Sequence, residues 1–276
     1  MKIALAQIRV YPGQPEKNFD TIAKYVADAK QHGCTIIAFP EMCVGGYLLG
    51  DRWLDQAWCE YLMEFNARIA DLSDDIIILY GNMYVDNTAK NKDGRSRKYN
   101  AAYGFYNKKP LQCDSVLGID GVTVKTLHPN YRIFDDERYF FSMQGIALDK
   151  GVQLENLLQP FFAEVDGKTI RIGVEICEDL WFNDYSYKGK ALNVTGMLIN
   201  HGADMLFNLS SSPWTYGKTR RAITVYAIAL MMPENSYRFI MSIVSALRIT
   251  GKILSFLTAT VLFTTRMLRL SGMLQR

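Results

Sequence analysis

Apolar residues recur along this chain in two rhythms, one of period two and one of about three and a half. Residues 2–10 alternate loosely between apolar and polar and predict a strand, which the turn-forming run Tyr11-Pro12-Gly13-Gln14-Pro15 ends. Phe19, Ile22, Ala23, Val26 and Ala29 then fall on one face of a helix, with Gly33 where a helix stop is expected. Residues 35–39 form an apolar, β-branched run too short for a helix, so they predict a buried strand ending at Pro40 and Glu41. These three elements make a βαβ unit. The rhythm repeats in a helix over about 58–72, a strand over 76–80, a polar loop over 87–98 around Asp93-Gly94, and a strand over 100–106. An irregular stretch leads through Lys125. Runs 161–165 and 169–176 flank Asp166-Gly167-Lys168, the best hairpin signal in the chain. Residues 192–200 predict a helix and 205–209 a buried strand. Alternating strands and helices with hairpins between them imply an α/β fold, a mixed sheet covered by helices.

Composition narrows the function classes. Of 276 residues, 49% are hydrophobic and 21% charged, enough apolar material to offset the entropy of folding one large domain. The formal net charge is only +3, which gives no reason to expect nucleic acid or an anionic membrane as partner. The longest apolar run, residues 253–265, is bounded by Lys252 and Arg266 and is too short to span a bilayer. Five cysteines form no CxxC pair and three histidines no HxxxH spacing, so no metal site is expected. Isolated thiols in odd number, with no signal peptide ahead of the first strand, predict a reducing, cytoplasmic location.

The chemistry centres on Cys177. It ends the strand Ile170-Arg-Ile-Gly-Val-Glu-Ile176 and opens into Glu178-Asp-Leu-Trp181, so a sharp turn should expose its thiol at the sheet edge, where the next backbone N–H can serve an oxyanion. A lone cysteine at a strand end is by default an inert small hydrophobe. Glu41 raises its standing, because a carboxylate directly after a buried strand sits at the rim of the core. Lys125, in Val124-Lys-Thr-Leu-His-Pro-Asn-Tyr131, reads by default as a surface lysine. A nucleophile, a group to move its proton to the leaving nitrogen and donors for the oxyanion are nevertheless the set that hydrolysis of an unactivated amide demands.

Taken together, Phe39-Pro-Glu41, Lys125 with Pro129 and Tyr131, and Glu175-Ile-Cys-Glu-Asp-Leu-Trp181 resemble the nitrilase superfamily, whose members carry Glu, Lys and Cys in this chain order. Gly46-Tyr47 with Asp51, Cys-Glu-Asp-Leu-Trp and Asn208-Leu-Ser-Ser-Ser-Pro-Trp214 resemble the glutamine-hydrolysing domain of glutamine-dependent NAD synthetases. The resemblance implies an αββα sandwich and hydrolysis of the glutamine side-chain amide through a Cys177 thioester, with Glu41 moving the proton and Lys125 stabilising charge. It implies substrate contacts from Tyr131, Glu178, Ser212 and Lys218, and a second acid that is Asp136 or Glu137. It implies no cofactor. The branch's Ser-Gly-Gly-x-Asp-Ser phosphate loop does not occur, so a separate NAD synthetase is the implied recipient of ammonia, and a homo-oligomer joined through sandwich faces is the implied assembly. Two other functions fit the same motifs: an amidase or carbamoylase for other small amides, and an inactive remnant serving as an interaction module.

The likeness runs over residues 1–218. From 219 to 276 the chain has one acid, Glu234, against eight Arg and Lys, and the turn pairs disappear. This tail does not resemble the remaining strands of a nitrilase sandwich, and a shifted reading frame or a truncation is the expectation it raises.

Overall fold

Strand pairing and side-chain alternation together build the architecture. The computed structural model describes residues 1–181, 185–212, 239–246 and 258–263. A first sheet runs β1 (Ile3–Leu5), β2 (Ile36–Ala38) and β3 (Ile77–Lys90), all parallel, then β4 (Ser96–Tyr106) antiparallel to β3, with β5 (Lys109–Pro110) and β7 (Val122–Val124) both pairing with β4. A second sheet has the order β14-β13-β12-β9-β8-β6, where β6 is Gln112–Cys113, β8 Phe161–Val165, β9 Lys168–Ile176, β12 Met205–Ser212, β13 Phe239–Ala246 and β14 Thr258–Phe263. A small ribbon, β10 (Ser186–Tyr187) with β11 (Lys190–Ala191), stands apart.

Successive strand residues point to opposite faces, and here both faces are buried. Ile36, Ala38, Ile77 and Leu79 share an apolar layer with Phe161, Ile172, Val174, Met205 and Phe207 of the second sheet, so the two sheets pack face to face. Ile37, Ile78 and Tyr80, on the opposite faces, join the layer formed with helices α1 (Pro15–Gln31) and α2 (Gln56–Asp71). Across the second sheet, Gly173 of β9 meets Leu198 of helix α5 (Val194–Asn200) so closely that an added Cβ would lie 3.3 Å from the Leu198 Cβ. The order of layers is α-β-β-α.

Local signals set the boundaries. Pro15 begins α1, where its missing N–H has no partner to lose. Gly33 follows α1 at φ 65°. Asp55 caps α2 by accepting from the Trp58 N–H at 3.2 Å. Asp166 and Gly167 both take positive φ, 50° and 71°, which matches the twist of a two-residue hairpin.

Some boundaries differ from expectation. β1 covers three residues rather than 2–10. β3 continues to Lys90 through a register irregularity after Asp86, and β4 begins at Ser96, so the polar loop expected over 87–98 shrinks to 91–95. Pairing depends on backbone groups, and an exposed antiparallel ribbon carries polar side chains without loss. Helices α3 (Asp136–Tyr139) and α4 (Met143–Lys150) occupy sequence in which no helix was predicted. Two segments of the tail, β13 and β14, extend the second sheet, with β13 parallel to β12 from Met205↔Phe239 to Ser212↔Ala246.

Ile172 lies fully buried between the sheets. Ile172→Ala should lower stability by about 2–5 kcal/mol, seen as an earlier urea midpoint at unchanged slope.

Candidate active site

Glu41 leaves β2 through Pro40 and crosses directly over β3. The crossing requires glycine beneath it: a Cβ on Gly81 would lie 2.5 Å from the Glu41 Cα and 2.4 Å from the Met42 nitrogen. Met42 itself is held at φ 50°, a conformation that disfavours any side chain. Glu41 is thereby turned inward and is only 1% exposed.

Lys125 follows β7 and is fully buried. Its Nζ donates to Glu41 Oε1 at 2.8 Å and to Asp136 Oδ2 at 2.8 Å. Burial works against its charge, but Asp136 and Glu41 outweigh burial and hold the ammonium well above its ordinary range. Of the two adjacent acids, Asp136, on α3, is the one that meets Lys125; Glu137 is exposed and accepts from Asn130. Tyr47 donates its hydroxyl to Asp136 Oδ1. Asn100 donates to Glu41 Oε1 at 2.7 Å, and the backbone N–H of Ser211 donates to Glu41 Oε2 at 2.8 Å. Glu41 thus uses three of about four acceptor positions on its carboxylate.

Cys177 stands at the end of β9 with φ 47°, the first residue of the 3₁₀ turn Cys177–Leu180. A non-glycine residue held there stores roughly 1–3 kcal/mol and is found chiefly where function requires it. Its Sγ lies 3.1 Å from the Ser212 hydroxyl. Ser211 and Ser212 are consecutive, so the end of β12 touches Glu41 with one residue and Cys177 with the next.

Of the residues proposed to contact substrate, Tyr131 and Glu178 meet: the Tyr131 hydroxyl donates to Glu178 Oε2 at 3.1 Å, and Tyr185 donates to Glu178 Oε1 at 2.9 Å. Burial, then the carboxylate, pushes both phenols above their usual range. Ser212 lies against the thiol, and Lys218 lies outside the described residues. Sequence reasoning did not single out Asn100, Tyr185 or the Ser211 N–H. Backbone donors carry no sequence signal, and an asparagine inside a strand reads as ordinary polar alternation.

A model of the carbon-nitrogen hydrolase family matches residues 2–229. The chain belongs to that family. As a carbon–nitrogen hydrolase it is 29% identical over 220 residues to a glutamine-dependent NAD(+) synthetase from Synechocystis sp., a match covering 78% of this chain and 35% of that protein. The chain thus spans about a third of the length of such relatives. A glutamine-dependent NAD+ synthetase structure from Acinetobacter baumannii superposes on 88% of this carbon–nitrogen hydrolase and 38% of its own chain, at TM-score 0.61 and 25% identity. An amidase of the nitrilase superfamily from Nesterenkonia AN1 shares the fold at TM-score 0.60 and 13% identity, over 89% of this chain and 76% of its own. Among the described residues of the hydrolase, no helix is long and apolar enough to cross a membrane.

Two buried titratable groups frame the site. Asp179 accepts from the N–H groups of Thr126 at 3.0 Å, Leu127 at 2.7 Å and Ile176 at 3.0 Å, tying the lysine segment to the cysteine turn. Burial nevertheless pushes its carboxyl up to about 7. His128 is buried, and desolvation lowers it to about 4. Their linkages have opposite signs. A histidine depressed from 6.5 to about 4 binds its proton more readily unfolded, so it stabilises the native state above pH 6.5 and loses that contribution as pH falls toward 4. Asp179 binds its proton more readily folded, so its contribution is present at low pH and is lost as pH rises through about 7. Wild type should show little net slope from this pair. His128→Asn should gain stability relative to wild type, by up to about 3 kcal/mol, as pH drops from 6.5 to 4, measured by urea midpoints across that range.

Proposed function

We propose that this carbon–nitrogen hydrolase cleaves the side-chain amide of glutamine to glutamate and ammonia, with Cys177 as nucleophile, Glu41 as proton carrier and Lys125 as electrostatic stabiliser. The observation that carries this reading is the buried Glu41–Lys125–Asp136 chain, joined to the strained Cys177 turn through Ser211 and Ser212.

Glu41 accepts the thiol proton and the Cys177 sulfur bonds to the amide carbon. The resulting oxyanion is held by the Lys125 ammonium and the Glu178 N–H. Collapse breaks the C–N bond as Glu41 passes the proton to the departing nitrogen, leaving ammonia and a thioester. Water, deprotonated by Glu41, then adds to the thioester carbon; the C–S bond breaks, releasing glutamate and restoring the thiol. Asp136 fits a supporting part, because the second carboxylate keeps Lys125 charged whichever proton state Glu41 holds.

Glutamine rather than a simple aliphatic amide is supported by Glu178. A buried carboxylate oriented by two phenols is suited to receive an α-ammonium group through charge-assisted hydrogen bonds. Similarity to glutamine-dependent NAD(+) synthetases supports NAD synthesis as the use of the ammonia, and five cysteines that form no disulfide among the described residues support a reducing, cytoplasmic setting.

Ammonia release by the purified chain should be faster from glutamine than from short aliphatic amides. The reverse order would replace the glutamine assignment with a small-amide amidase, and no release from either would remove the enzymatic reading. Cys177→Ala should abolish release. Glu41→Gln keeps the shape and removes the base, and should lower kcat by about 10²–10⁴-fold. Glu178→Gln should raise KM for glutamine while leaving the rate on aliphatic amides unchanged.

A further inference from the structure

Behind the cysteine turn lies a polar cluster that the mechanism above does not use. Asn208 of β12 stands opposite Glu175 of β9 in the parallel register, so their side chains share one face of the sheet. Asn208 Nδ2 donates to Glu175 Oε1 at 3.2 Å and to the Cys177 carbonyl oxygen at 3.2 Å. Asn208 Oδ1 accepts from the Ser210 hydroxyl, and Glu175 Oε2 accepts from Thr195 Oγ1 at 2.7 Å. Asn208, Glu175 and Thr195 are each at most 1% exposed. Two acceptors meet the Asn208 amine and one donor meets its oxygen, so the partners agree on a single orientation of the carboxamide.

A planar trans peptide turns this contact into a lever. The Cys177 carbonyl and the Glu178 N–H belong to the same rigid unit and point in opposite directions. Whatever holds that carbonyl also aims that N–H. On the strand side, the Ile176 N–H donates to Asp179, so the chain is held both before and after the nucleophile.

We propose that Asn208 is a positioning residue for oxyanion stabilisation: it holds the Cys177 carbonyl so that the Glu178 N–H faces the oxygen of a bound amide, while Glu175 and Ser210 lock its carboxamide. This rests on the amide hydrolysis proposed above. Leaving β-strand hydrogen bonding intact, the device would correct one peptide plane whose conformation the backbone alone disfavours.

The test separates oxyanion stabilisation from thiol reactivity. Hydrolysis develops charge on the amide oxygen. Alkylation by iodoacetamide forms a C–S bond at a saturated carbon as iodide leaves, and develops none. Alkylation is followed at Cys177 itself, by mass measurement of the peptide that carries it, so that Cys34, Cys43, Cys59 and Cys113 do not contribute. Asn208→Ala in the full chain should lower kcat by about 10- to 100-fold, at or below the usual loss for deleting an oxyanion donor, with KM and the alkylation rate unchanged. Glu175→Leu should share that pattern. Glu175→Gln should keep wild-type kcat, since its carbonyl can face Asn208 while its amine faces the Thr195 hydroxyl. Wild-type kcat in Asn208→Ala, or alkylation falling in step with kcat, would overturn the inference. If Asn208→Ala does not fold, the Glu175 pair decides: equal kcat in the Leu and Gln variants overturns it. Wild-type protein without amide hydrolysis overturns the functional reading itself, whereas retained hydrolysis insensitive to Asn208 overturns this inference alone.

Discussion

A lysine buried out of reach of water governs much of this structure. Placing an ammonium in the core incurs several kcal/mol of desolvation even after relaxation, and only close, well-directed counter-charges offset it. Lys125 has two, Glu41 and Asp136, each at 2.8 Å. Each carboxylate is desolvated in turn, so each needs further donors: Asn100 and the Ser211 N–H on Glu41, Tyr47 on Asp136. The requirement propagates outward. It ties in β4 through Asn100, β12 through Ser211 and α3 through Asp136, so that elements distant in sequence, already brought together by strand pairing and face-to-face packing of the sheets, are also held by these charges. Such an arrangement is poor at adding stability, since apolar residues of the same volume would serve as well or better. Its persistence in the core argues for chemistry.

The same logic explains where backbone strain is stored. Met42, just after Glu41, and Cys177 both hold positive φ without being glycine. One follows the buried carboxylate and the other carries the thiol at the start of the 3₁₀ turn. Each is secured by neighbours: Gly81 beneath Glu41, where a Cβ has no space, and Asn208 and Asp179, hydrogen-bonded around the Cys177 turn. Strain of this kind survives only when the surrounding structure over-determines it.

How much of this was legible beforehand depended on the type of signal. The βαβ start, the Asp166-Gly167 hairpin and the buried strands of both sheets were readable, because their apolar periodicity and turn residues are local. Glu41, Lys125 and Cys177 drew attention only as a set, since each alone reads as something ordinary. α4 was missed because its apolar positions carry no helical stripe, although Ser142 accepting from Gly145 N and Gly151 at φ 64° cap it at both ends. Choosing Asp136 over Glu137 was beyond the sequence: adjacent acids differ only in direction, and the turn that faces Asp136 inward is set by its packing against Tyr47 and Lys125. Lys98 is the instructive opposite, a lysine at the end of the expected polar loop whose Nζ is buried against the carbonyls of Trp53 and Leu54.

The tail bears on the site through β12. Asn208, Ser210, Ser211 and Ser212 all lie on that strand, and together they hold the Cys177 carbonyl, cap Glu41 and touch the thiol. β12 pairs with β9 on one side and β13 on the other. Without β13 it would be an edge strand, with unpaired backbone groups along the length that positions those side chains. Residues of unfamiliar composition can therefore maintain the site without contributing a single reacting atom, because what β12 needs from its neighbour is backbone pairing in register, and that demand is met by any strand that avoids proline and presents apolar side chains to the core. A tail with one acid against eight Arg and Lys and the geometry held at Glu41 and Cys177 are for that reason compatible.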